Sequence, residues 1–141
     1  AARADRRRGG RPRRAVNHER HFTLEEANAM LARVEPMLVE LREARDQLTE
    51  AEAHELLGEA APTNGGGEPG RSIGEGFLAV RRLLGELAEA GIVVRDIDRG
   101  LIDFPAIRDE REIYLCWELG EDRVGFWHEL ETGFGGRQPL E

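Results

Sequence analysis

The segment from Phe126 to Arg137 holds the densest set of side chains capable of chemistry. His128 titrates near neutrality and can act as a general base or a metal ligand wherever a carboxylate such as Asp103 or Glu118 comes within reach. Asp103 stands between Ile102 and Phe104, where a carboxylate needs a partner, and His128 or Arg137 would supply one. His128, Asp103 and Arg137 are the candidate catalytic cluster. Neighbours on a strand point to opposite faces, so His128 and Glu129 cannot chelate one ion unless the strand bulges. Glu129 and Glu131 share a face, about 6 to 7 Å apart by strand rise, with Tyr114 and Glu112 expected opposite them. Two carboxylates and a phenol suit a hard divalent ion or acid/base work. His128, Glu129 and Glu131 are thus the candidate metal ligands; a divalent metal is the one cofactor left open, and no other is expected. Cys116 has no histidine expected on its own face and reads as a small packing residue rather than an activated thiol. Gly133 to Arg137 offers amides beside a guanidinium, a chemistry for phosphate or carboxylate, but the GxxxxGK(S/T) and GxGxxG patterns are absent and nucleotide binding is unsupported.

The elements that must position these groups show in the apolar spacing. Thr23 and Glu26 have the spacing of a reciprocal capping box, which starts a helix at Leu24. Ala27, Leu31, Val34, Leu38, Leu41 and Leu48 continue it as one stripe, bent at Pro36, with the pattern thinning toward Leu57. Residues 58–71 are rich in breakers and read as a flexible loop. A second amphipathic stretch from Ser72 to Ala90 puts Ile73, Phe77, Val80, Leu84 and Leu87 on one face. Its glycines at 74, 76 and 85 cost about 1 kcal/mol each relative to alanine, so it must lean on a partner. Together the two form a helical hairpin over 23–90.

At Gly91 the period changes from 3.6 to 2. Strands are expected at Ile92–Ile97, at Leu101–Phe104 where Pro105 ends it, at Arg111–Leu119, and from Val124 to Glu131. A turn centred on Glu121 and Asp122 pairs Leu119 with Val124, Trp117 with Phe126 and Leu115 with His128, which sets His128 into an apolar face. The expected fold is α+β: an antiparallel helical hairpin, its first helix long, on a three- to four-stranded antiparallel sheet over 92–131, followed by a Gly-rich segment over 132–141.

Charge divides the chain unevenly. Of 141 residues with net charge −8, the first 20 carry eight arginines against Asp5 and Glu19, leaving −14 on the remainder. That Arg-rich tail has too little apolar surface to fold and is expected to be disordered; it could neutralise phosphates, but without an aromatic residue any nucleic-acid contact would be sequence-blind. Residues 21–141 are expected to form a single domain. No apolar run reaches membrane-span length and the start lacks the apolar core of a secretory signal, so a soluble, cytoplasmic protein without membrane partners is expected. One cysteine excludes an intramolecular disulfide and a Cys-only metal site.

The runs FTLEEANAML, GLIDFPAI, EIYLCWELGE and FWHELETGFGGRQPL, in that order, resemble a bacterial domain-of-unknown-function family, number 2203, over about Phe22 to Leu140. The resemblance implies a leading helix with an internal proline and a Trp-His-Glu segment near the end, matched here at Pro36 and at Trp127 and His128. It carries over no established activity. The function expected is a non-catalytic binding or scaffold module that self-associates as a homodimer, with an unidentified protein partner. The alternatives are a small metal-binding protein or enzyme using His128 with Asp103, Glu129 or Glu131, and a nucleic-acid accessory protein acting through residues 1–20.

Overall fold

A computed structural model describes residues 18–57 and 74–140. Residues 1–17 of the Arg-rich tail, the expected flexible loop, and the residues Ser72 and Ile73 assigned to the second helix lie outside them; residues 18–20, expected to be disordered with that tail, instead pack against the domain, His18 on Tyr114 and Glu112 and Arg20 on Phe22. Among the described residues the architecture is α+β: three helices and one five-stranded antiparallel sheet.

Helix α1 (Leu24–Arg45) begins at the Thr23 capping box: the Thr23 hydroxyl accepts from the Glu26 amide and the Glu26 carboxylate from the Thr23 amide, both at 3.0 Å. Pro36 lies inside it, and Ala27, Leu31, Val34, Leu38, Leu41 and Ala44 are buried. The stripe does not run on to Leu57 in one helix. Thr49 and Glu52 form a second reciprocal cap with bonds of 3.0 and 3.1 Å, and this cap starts α2 (Glu50–Leu57). Two expected helices are therefore three. Helix α3 (Glu75–Glu89) buries Phe77, Val80, Leu83 and Leu87; Leu83 takes the place assigned to Leu84, which is only half-buried. α3 ends in a Schellman motif, with Ile92 N donating to Leu87 O and Gly91 N to Ala88 O. Gly91 takes the left-handed φ of 89° that this motif requires and that glycine adopts without penalty.

The sheet comprises β1 (Val93–Asp96), β2 (Leu101–Arg108), β3 (Arg111–Glu118), β4 (Phe126–Glu129) and β5 (Gln138–Pro139), in that order across the sheet. The fifth strand lies in the segment expected only to be Gly-rich. β2 does not end at Pro105. β1 pairs with it only as far as Asp103, so Pro105 sits where no strand on that side needs its missing N–H, while its carbonyl accepts the Phe22 amide at 2.7 Å. The β2–β3 hairpin turns at Asp109 and Glu110, both at positive φ.

The β3–β4 register differs by one residue from the expected one: Leu115 pairs with Trp127, Cys116 with Phe126 and Tyr114 with His128. A one-residue slip transfers every side chain of a strand to the other face. Trp127, 8% exposed, joins Ile102, Phe104, Ile113, Leu115 and Trp117 against α1 and α3, and this larger apolar body displaces Phe126 and His128 from that face. The connection is also longer than a two-residue turn. It is held by Trp117 Nε1 donating to Glu121 O and by the Val124 amide donating to Asn28 Oδ1 of α1 at 2.7 Å. Among the described residues no helix is long and apolar enough to cross a membrane.

Candidate functional site

The face of the sheet turned away from α1 and α3 carries polar groups through its middle. Asp103 of β2 lies opposite Cys116 of β3, and His128 of β4 lies opposite Tyr114, one alternation along. Asp103, Cys116 and His128 are each 1% exposed. Strand alternation puts Asp103 on this face, and the observed register brings His128 to it.

Asp103 is the hub. Its Oδ1 lies 3.0 Å from His128 Nε2 and its Oδ2 accepts from Arg95 Nε of β1 at 2.8 Å. His128 Nδ1 donates to the Glu129 carbonyl oxygen at 2.7 Å. The Glu129 carbonyl can only accept, so Nδ1 carries hydrogen, and the Asp103 carboxyl beside Nε2 favours a second hydrogen there. Burial opposes the charged form, but the bonds to Asp103 and to the Glu129 carbonyl outweigh it and hold the His128 pKa above its ordinary value. The Cys116 thiol is pushed up to about 12, first by burial and then by the Asp103 charge, against a smaller opposing pull from Arg137. It is not a nucleophile in this setting.

Arg137 follows a short 3-10 turn at Phe134–Gly136 and folds back over the sheet. Its guanidinium pairs with Glu121, stacks 3.8 Å from the Phe126 ring centre, and sets Nη1 3.9 Å from Cys116 Sγ. It therefore reaches the cluster through the thiol, whereas the cation on Asp103 is Arg95. Residues 18–21 cover the other end. His18 Nε2 hydrogen-bonds Tyr114 Oη at 2.7 Å, and buried Glu112 accepts from the His18 amide at 3.0 Å and His21 Nε2 at 2.8 Å.

The structure does not bring Glu129 and Glu131 to His128. Glu129 lies opposite Ile113 and takes a two-pronged bond from Arg111 at 2.8 and 3.2 Å; Glu131 lies past the end of β4 and is exposed. Among the described residues the group able to hold a metal ion is instead Asp103, Cys116 and His128, whose donor atoms lie within 4.8 Å of one another. Sequence reasoning misses Cys116 and Arg95. Cys116 alternates with Trp117 in a way that was readable, but its histidine neighbour depends on the register. Arg95 is placed by the β1–β2 pairing, which carries no local signal.

No curated protein and no solved structure matches the chain. Residues 20–140 match the family described as an uncharacterised conserved protein, DUF2203, over a range that spans every element above, and the chain belongs to that family.

Proposed function

We propose that the protein is a non-catalytic binding module that self-associates. What carries this reading is the contrast between its locked polar groups and its open apolar ones. His128 has both nitrogens engaged and Cys116 holds its proton, so neither is poised to start a reaction. Beside the start of α1, in contrast, Leu24 is 42% and Ile107 50% exposed, flanking a cleft of about 290 Å³ lined further by Phe22, Ala106, Ile113 and Leu140. Exposed apolar surface bordering a cleft is the usual mark of a docking site, and a second copy of the same chain is the occupant this reading commits to. In it α1, bent at Pro36, and α3 form an antiparallel hairpin that serves as the scaffold.

Sedimentation equilibrium at tens of micromolar tests it. The wild-type chain is expected to be a dimer and Ile107→Asp a folded monomer; a wild-type monomer at that concentration overturns the reading, because interfaces of about 1,600 Å² are normally occupied there. Of the alternative through residues 1–20, residues 1–17 fall outside the described residues.

A further inference from the structure

We propose that Asp103, Cys116 and His128 form an enclosed site for one zinc-class divalent cation, bound by a carboxylate oxygen of Asp103, Sγ of Cys116 and Nε2 of His128. The donors come from three adjacent strands, β2, β3 and β4, and converge within 4.8 Å of one another. Oxygen, nitrogen and sulfur at one point are the donor set of zinc.

The surroundings hold His128 and Asp103 each by an atom the cation does not need. The Glu129 carbonyl takes His128 Nδ1 at 2.7 Å, which leaves Nε2 as the coordinating nitrogen. Arg95 takes Oδ2 of Asp103 at 2.8 Å, and Oδ1, which lies 3.0 Å from His128 Nε2, turns to the metal once no proton lies between them. Arg137 Nη1, 3.9 Å from Cys116 Sγ, is placed to donate to a thiolate. A backbone carbonyl behind a histidine and a guanidinium behind a carboxylate are what orient ligands in metal centres.

On loading, the Cys116 Sγ proton and any proton on His128 Nε2 leave to water, and the carboxylate and thiolate balance the divalent ion beside a neutral imidazole, so the loaded cluster carries no net charge in a buried site. From the 4.8 Å limit the donors must close by at most about 1.3 Å to reach the about 3.5 Å edge of a tetrahedral zinc. Three protein ligands leave one position for water. With each ligand 1% exposed, the cation is enclosed rather than offered to a substrate. Of the two side chains bonded to Asp103, Arg95 on the edge strand is 41% exposed and His128 1%.

The test uses the full chain, stripped with a chelator and titrated with Zn(II) alone, then with Co(II) as a spectroscopic stand-in. One equivalent per chain, a raised Tm with Zn(II), and a sulfur-to-cobalt charge-transfer band are expected. Because the chain has a single cysteine, that band identifies Cys116 without any substitution. Cys116→Ala, checked for folding by circular dichroism, is expected to abolish the band and weaken Zn(II) binding by more than the about 10- to 100-fold of an outer-shell change. The double variant Glu129→Gln, Glu131→Gln is expected to bind as wild type does. A wild-type chain with no saturable Zn(II) uptake, a cobalt complex lacking the sulfur band, or loss of binding only in the glutamate double variant overturns the proposal.

Discussion

Asp103 accepts from Arg95 and His128 at 2.8 and 3.0 Å while 1% exposed, so three ionisable groups stand or fall together. Removing the shared carboxylate leaves buried His128 Nε2 and the Arg95 guanidinium without the charge that both bond. Asp103→Asn is expected to cost about 3 kcal/mol in urea unfolding of the metal-free chain, the low end for a broken buried pair because Arg95 is 41% exposed and can turn to water. The same pairing sets a pH dependence. The His128 pKa lies above its ordinary 6.5 in the folded chain. Folding therefore binds the proton more tightly, and the stabilisation is present in full below pH 6.5 and disappears as pH rises through the folded pKa. Metal-free protein is expected to lose stability as pH climbs above 6.5, and His128→Gln to flatten that slope; an unchanged slope in the variant would assign the titration elsewhere.

At the scale of elements, the glycines of α3 separate into two kinds. A Cβ on Gly76 would lie 2.8 Å from Ala44 O and 2.9 Å from Gln47 Cβ, where α3 crosses the end of α1, whereas one on Gly85 would meet nothing within 4 Å. Gly85→Ala is expected to raise unfolding stability by about 1 kcal/mol, the helix-propensity difference. Gly76→Ala is expected to lower it by about 1–3 kcal/mol through overpacking. The β2–β3 turn offers a third case: Glu110 holds φ 66° without being glycine, a conformation costing about 1–2 kcal/mol, so Glu110→Gly should raise Tm. Elements with local signals were legible in the sequence: the Thr23–Glu26 cap and the change of period at Gly91. The Thr49–Glu52 spacing carries the same capping signal as Thr23–Glu26, hidden by the fading stripe past Leu48. The β3–β4 register had no local signal, because Val124-Phe126-His128 and Trp127 each supply an apolar face. What decides between them is the volume of Trp127 against the helices and the Asn28 to Val124 bond across 96 residues. The Cys116–His128 neighbourhood follows from that register, and so it was not legible either.

Across the whole molecule, segments near both ends of the described chain close over the central hairpin. Residues 18–22 bond Tyr114, Glu112 and Pro105, and residues 134–140 bring Arg137 onto Phe126 and Cys116 and pair β5 with β4. Helices cover the other face, so the middle strands are buried on both sides although only one side is apolar. This arrangement makes Cys116 a reporter of cooperativity. Its thiol is 1% exposed and pushed up to about 12, so a thiol reagent near neutral pH reacts only when the chain opens. If the end segments and the sheet open as one unit, the opening free energy from labelling equals the global unfolding free energy and falls with urea at the same slope. Arg137→Leu then lowers both values together. If instead the segment carrying Arg137 opens alone, labelling proceeds at a much lower free energy with little urea dependence, and Arg137→Leu speeds it without an equal loss of global stability. The first outcome is expected. Opening the Arg137 side alone would strand Glu121 and unstack Phe126, yet His128 and Asp103 would still enclose the thiol from the β2 and β4 sides.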